Sequence, residues 1–217
     1  MSPPNAPHLL HLPSSPLAVA ALTLVRESEP TPIAAHSVRS YLFARLLAHH
    51  RQLDAPRDYD DELLFAACVL HDVGLSQQGD RDGRFEVDGA DVAASFLTAE
   101  GVPAAQVDQV WEAIALHTSA GIAERRGPVC WLTRGGIGMD FGRGVDSVSD
   151  SDAAAIHAAY PRQSVSTVLV DAITRQALAK PTKAPPYSMA DVLVRERNDP
   201  PYLSRLERAA TASRWGE

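Results

Sequence analysis

The sequence predicts an all-α protein. Helical stretches are bracketed by start and stop residues, with proline or aspartate at several openings and glycine at several ends, and no segment reads as a strand. No internal repeat is present, and 217 residues point to one core by default.

Taken in order, residues 1–15 carry Pro3, Pro4, Pro7 and Pro13 with no periodic apolar pattern, and read as a mobile N-terminal arm. A helix is expected over 17–27. Pro30 and Pro32 then break the chain, and Pro32 suits the first turn of a second helix running to about residue 52. Over 60–73, Asp60 is available as N-cap, Asp61 and Glu62 fall in the first turn, the middle is apolar from Leu63 to Leu70, and Gly74 is placed to end the helix. A loop rich in Gly and Asp over 77–84 leads to a helix over 87–100 that Gly101 ends, and Pro103 opens another to about residue 118. Pro128 can open a helix to residue 141. Gly135, Gly136 and Gly138 weaken that helix and imply either a closely packed backbone or flexibility. Helices over 152–160 and 165–179 follow, then the proline-rich KPTKAPPYS and a charged stretch with little apolar periodicity. Residues 16–197 thus read as one domain and 198–217 as a C-terminal tail.

Composition narrows the function. With 45% hydrophobic and 22% charged residues and a net charge of −7, the chain reads as a soluble globular protein, and no Lys/Arg cluster could track phosphates, so nucleic acid is not an expected partner. The longest apolar stretch near the N-terminus, 17–25, is too short to span a bilayer and has no basic residues ahead of it, so neither membrane insertion nor export is expected. Cys68 and Cys130 sit among apolar neighbours and read as small hydrophobes, which fits a cytoplasmic location. Trp111, Trp131 and Trp215 leave room for an apolar contact surface, and so for a homo-oligomer.

The polar chemistry centres on LHDVGLS, residues 70–76, where His71 and Asp72 close an apolar run. Helical neighbours point about 100° apart, so the two can share one ligand only where a helix end faces a cavity, and Gly74 marks such an end. A divalent cation offsets the cost of holding a carboxylate away from water, and neutral imidazole is its commonest nitrogen ligand. For an isolated pair, a local His–Asp hydrogen bond is the simpler reading. His36 in AAHSVRSYLFA and Asp140 in GGIGMDFG are further polar residues in apolar helical surroundings. Together the four form a set suited to zinc, iron, manganese or cobalt, although their scattered spacing is not diagnostic. His117 follows Val110 and Ile114 at helical spacing and faces inward, which alone fits a satisfied core histidine. Glu86, in a first helical turn, fits simple compensation of the dipole. Arg39, one turn after His36, reads as solvated or surface-paired, with reach into the pocket as the alternative. His49 and His50 suit a helix C-terminus, while His8, His11 and His157 stand in weak contexts.

In this order His36, the His71-Asp72 doublet and Asp140 resemble the four-ligand signature of the HD-domain metal hydrolases, which are all-helical. The segments HSVRSYLFA, LHDVGLS, RFEVDGADVAASFL, EAIALHTS and YPRQSVSTVLVDAITRQALAKPTKAPP resemble the cyanamide-hydratase branch of that family, over residues 30–197. The resemblance implies a single HD-domain helical bundle around one divalent metal, zinc first with iron, manganese or cobalt as alternatives. His36, His71, Asp72 and Asp140 would hold it, with open positions for water and a small-molecule substrate. One metal is implied because two-metal HD proteins use two extra histidines between the doublet and the last aspartate. Here there is only His117, and Phe85-Glu86-Val87-Asp88-Gly89 offers none.

In that family context His117, with Glu86 as a second candidate, becomes the group that moves protons. The implied reaction is hydration or hydrolysis of a small molecule, with metal-activated water adding across a C≡N bond. The comparison sequences carry a threonine three residues before the last aspartate, whereas this chain has Ile137. A hydroxyl donor is therefore missing, and cyanamide itself is a doubtful substrate. Hydrolysis of a nucleotide or other phosphoester is the alternative, and would call on Arg39, Arg84 or Arg134. A third reading is a binding protein that keeps the ligands without turnover. A tight apolar cavity would favour a nitrile-like substrate, and a wide cationic one phosphate.

Overall fold

A computed structural model describes residues 10–199 and 202–216, which form ten α-helices and no strand. Most of the expected arm, including His8, lies outside the described residues. Helix α1 (Pro16–Ser28) is capped by Ser15, whose hydroxyl accepts from the Ala18 amide at 3.1 Å. Pro32 stands in the first turn of α2 (Thr31–His50). Asp60 caps α3 (Asp61–Leu70) by accepting from the Glu62 and Leu63 amides. Every residue of α3 from Leu63 to Leu70 is buried, as a helix apolar on all sides requires, and it packs against α1 and α2 on the way to the site. The chain continues through α4 (Phe85–Ala99), α5 (Ala104–Ala115), α6 (Pro128–Asp140), α7 (Asp150–Ala159) and α8 (Val165–Ala179).

Two departures from the sequence reading bear on the site. The helix carrying the doublet stops at Leu70, and a 3-10 turn, Val73–Leu75, takes over. The charged stretch after KPTKAPPYS is helical: α9 (Met189–Asn198) and α10 (Arg205–Thr211) bury Ala190, Leu193 and Ala210 against the α8 side of the molecule. These helices are too short to show a period, and their caps define them. The Ser188 hydroxyl accepts from the Asp191 amide, and Ser204 and Glu207 form a reciprocal capping box.

Helices α2 and α6 run antiparallel, with Asp140 meeting Arg39 at one end and Gly135 meeting Leu47 at the other. Between these points Gly136 settles the choice between close packing and flexibility. A Cβ there would stand 2.1 Å from the Ser40 carbonyl oxygen and 2.8 Å from the Ala44 Cβ, so the backbones touch. Gly74 is required for the same reason, because its Cβ would lie 1.9 Å from the Phe85 carbonyl oxygen. That contact sets the turn after the doublet directly on the first turn of α4.

The proline-rich segment is anchored by Lys183, which is buried and donates to Asp88 at 2.5 Å and to the Arg81 carbonyl at 3.2 Å. Trp215 stacks on Phe43 and donates to the Met139 carbonyl at 2.8 Å, and Trp111 donates to Asp91. Cys68 and Cys130 are free and buried, and burial pushes their thiols up to about 12 and about 11. No helix among the described residues is long and apolar enough to cross a membrane.

Candidate metal centre

The end of α3 lets two neighbouring side chains face one space. His71 still has helical angles (φ −63°, ψ −28°), but Asp72 has turned out of the helix (φ −101°, ψ 3°). Across from them, α2 presents His36. His71 Nε2 lies 3.1 Å from Asp72 Oδ2, His36 Nε2 lies 4.0 Å from the same oxygen, and the three donors fall within 4.8 Å of one another. A tetrahedral ion with bonds of about 2.0–2.2 Å spaces its ligands roughly 3.4 Å apart, so this set fits a divalent metal. The side chains are 0–2% exposed. His36 Nε2 and Asp72 Oδ2 nonetheless have no hydrogen-bond partner among the described residues, an arrangement that a bound cation explains.

The far nitrogens of both histidines are committed. His71 Nδ1–H donates to the Cys68 carbonyl at 2.8 Å, and His36 Nδ1–H donates to Asp140 Oδ2 at 2.6 Å. Each Nε2 is thereby left as a lone pair facing the cluster. Burial, joined by the neighbouring His71, lowers the His36 pKa against the pull of Asp140 and Asp72, and the net direction is down. Burial opposes the His71 imidazolium too, but Asp72 and the Cys68 carbonyl together outweigh it, and the net direction is up.

Asp140, expected as a fourth ligand, stands behind His36 instead of beside it. Arg39 Nε and Nη2 hold its two oxygens at 2.7 and 2.8 Å, and Arg162 Nη1 reaches Oδ1 at 3.1 Å and the Asp140 carbonyl at 2.6 Å. Two buried guanidinium groups therefore fix the carboxylate on the Nδ1 side of the ring. Burial alone would raise its pKa, but Arg39 and His36 hold it far below the usual carboxylate range. Arg39 itself is neither solvated nor surface-paired: it is fully buried and also donates to the Tyr160 and Pro161 carbonyls.

His117 is brought to the cluster, its ring 5.0 Å from that of His71 and 5.6 Å from that of Phe85. Its Nδ1–H donates to the Ile114 carbonyl at 2.7 Å, and burial, then His71, pull its pKa down to about 4. The ring is thus neutral near pH 7 and its Nε2 can accept a proton. Glu86 is placed differently. It accepts from Arg84 at 2.7 Å and from the Thr118 hydroxyl at 2.6 Å, and it does not line the cavity. Arg84, His117 and Thr118 together outweigh burial and lower its pKa, so it is an ion-paired anion that fixes Thr118. One buried acid escaped the sequence reading. Both oxygens of Glu29 lack a hydrogen-bond partner among the described residues, and burial, then Asp72, push its pKa well up. An acid before a proline at a helix junction gives no signal of this.

The donors open into a cavity of about 610 Å³ that His117, Thr118 and Ile137 also line. Phe85, Phe141, Leu169 and Ile173 make much of its wall apolar, and Arg51, Arg134 and Arg143 line it as well. Arg134 is engaged, with Nε on Glu124 at 2.6 Å and Nη1 on the His117 carbonyl at 2.8 Å.

An all-helical bundle with a buried His-His-Asp cluster at a helix end is the architecture of a metal-dependent hydrolase of the HD type. The HD domain family matches residues 33–164, more than half of the 217-residue chain, and the chain belongs to that family. HD domains bind divalent metal and are in general metal-dependent hydrolases. The match defines the family and not a branch within it. No curated protein matches the chain.

Proposed function

We propose that the protein is a metal-dependent hydratase or hydrolase of a small, largely apolar molecule, with water addition to a C≡N bond as the reaction its sequence resembles. The observation that carries this reading is the pair of orphaned buried donors, His36 Nε2 and Asp72 Oδ2, at the wall of a mostly apolar cavity that also holds a neutral histidine. His36, His71 and Asp72 would hold one divalent ion, zinc first. When bound, the ion supplies Lewis acidity, polarising the substrate and lowering the pKa of water towards neutrality.

The chain's own residues do the rest. Asp140 keeps the proton of His36 on Nδ1 and the ring in register. His117 holds its own proton on Nδ1, so Nε2 is free to take a proton from water and return it to the substrate nitrogen. Phe85, Ile137 and Phe141 exclude bulk water and grip carbon. A cavity of about 610 Å³ lies within the size range of sites for drug-sized ligands, far above what cyanamide fills, which supports a larger substrate.

Phosphoester hydrolysis ranks second: the cavity is wide and Arg51 and Arg143 line it, but the three arginines the sequence offered beside the metal are engaged, Arg39 with Asp140, Arg84 with Glu86, and Arg134 with Glu124. The test is turnover of a series of aliphatic and aromatic nitriles and cyanamides, set against p-nitrophenyl phosphate, by metal-loaded wild type and His117→Ala. Nitrile hydration that fails in the variant supports the reading. Turnover confined to the phosphate ester, or none in either series, overturns it.

A further inference from the structure

We propose that the cavity takes an elongated substrate whose anionic oxyacid group lies remote from the reacting carbon and is held by Arg51 and Arg143. The inference rests on the reading of this cavity as the substrate site, and adds to it the class of molecule accepted.

The cavity is much longer than a metal site needs. His36 and Arg51 both line it, yet they stand fifteen residues apart along α2 and its C-cap, roughly 22 Å of helix axis. The path between them follows α6, where Gly135 and Gly138 line the cavity without contributing side chains and Leu47 and Trp131 give it apolar sides. A Cβ at Gly138 would meet only ordinary contacts, the nearest 3.6 Å away at Arg143, so packing does not require a glycine at this lining position.

The lining also carries cationic charge. Arg51 and Arg143 are exposed, they line the cavity, and neither guanidinium has a hydrogen-bond or ion-pair partner among the described residues. Arg134, which lines the same cavity, is neutralised by Glu124. Two uncompensated cations thus face one cavity in a protein of net charge −7. Guanidinium groups recognise carboxylate and phosphate through paired N–H donors, and an apolar passage before them selects a carbon chain carrying such a group.

The test uses calorimetric titration of the full chain, as purified and again after chelation, with octanoate, octyl phosphate and neutral octanamide as probes. After chelation, at least one anion should bind about tenfold more tightly than octanamide. That preference should fall to within about twofold in Arg51→Gln/Arg143→Gln and shrink as salt is raised. A preference limited to octyl phosphate would assign a phosphate, and a preference shared by both anions the wider oxyacid class. The proposal is overturned if octanamide binds as well as both anions, if the double variant keeps the preference, or if no probe binds. A preference present only in metal-loaded protein would place the anion on the metal, overturning this proposal while leaving the metal reading intact. Absence of metal from the purified protein would overturn the metal reading and leave the chelated measurement standing.

Discussion

His36 and Asp140 are joined by a 2.6 Å hydrogen bond from Nδ1–H to Oδ2, and the carboxylate that orients the ring is itself clamped by Arg39 and Arg162. This makes Asp140 a support for a ligand, with consequences unlike those of losing a donor. Asp140→Asn leaves two buried guanidinium groups without their counter-charge, a loss of about 3–5 kcal/mol of stability. The orienting bond also weakens, so metal affinity should fall roughly 10- to 100-fold without vanishing. Thermal denaturation and a competition titration with a chromophoric chelator read both effects. A variant with wild-type stability and affinity would remove Asp140 from this role.

Three clustered donors, and no second set among the described residues, imply about one metal per chain. Elemental analysis of protein purified without chelators should return that stoichiometry. Asp72→Ala should purify nearly metal-free and lose the stabilisation that added zinc gives the wild type. Two equivalents per chain, or a variant that keeps its metal, would contradict the site as drawn.

His117→Gln should keep the metal and lose roughly 10²- to 10⁴-fold in turnover, because the ring carries protons without holding the ion. It should also change the response to acid. Its folded pKa of about 4 lies below the ordinary 6.5, so the unfolded chain binds the proton more tightly. This group's contribution to stability is therefore complete above pH 6.5 and lost as the pH falls from 6.5 towards 4, roughly 3 kcal/mol at most. Melting of chelated protein against pH should show a shallower acid limb in His117→Gln. An identical limb would mean that the ring titrates normally.

Most of the fold was legible because its helices announce their ends: Asp60, Pro32 and Pro128 all sit where their side chains predict, whereas Ser15, read as part of the arm, turns out to cap α1. The doublet was legible because two helical neighbours can share a site only at a helix end, although the helix ends at Leu70, earlier than Gly74 suggested. What stayed hidden depends on long-range partners. Nothing local to Arg39, Arg162 or Asp140 says that residues so far apart in sequence meet in a buried ion cluster that holds Asp140 against His36 Nδ1. The pairing of Glu86 with Arg84 and Thr118 was hidden in the same way, because it is tertiary.

The touching backbones at Gly136 tie packing to the site. In Gly136→Ala the new methyl meets the Ser40 carbonyl oxygen at 2.1 Å, a backbone atom that cannot swing away, so α2 and α6 must separate. A stability loss of about 1–3 kcal/mol should follow. Metal affinity should fall with it, because the bond between His36 and Asp140 spans the same interface. Gly127→Ala is the control, as its Cβ would meet nothing within 4 Å, and it should stay within about 0.5 kcal/mol of wild type. Equal melting temperatures for the two variants would show that the interface yields at no cost.

Ile137 lines the cavity from α6 and puts an apolar side chain there. Cyanamide has few atoms to grip, so one missing hydrogen bond is a large share of its binding, and a cavity of about 610 Å³ leaves it loosely held besides. An apolar side chain at this point instead favours a substrate with carbon there. Wild type should therefore form urea from cyanamide slowly or not at all, while turning over larger nitriles, and Ile137→Thr should gain about tenfold on cyanamide and lose on the larger ones. The threonine hydroxyl can also bond back to the Thr133 carbonyl one turn earlier, a competition that limits the gain without reversing its sign. Urea release by the two proteins at equal metal content decides the matter. A wild type that hydrates cyanamide faster than larger nitriles, or a threonine variant no better on cyanamide, would remove Ile137 as the residue that sets substrate size.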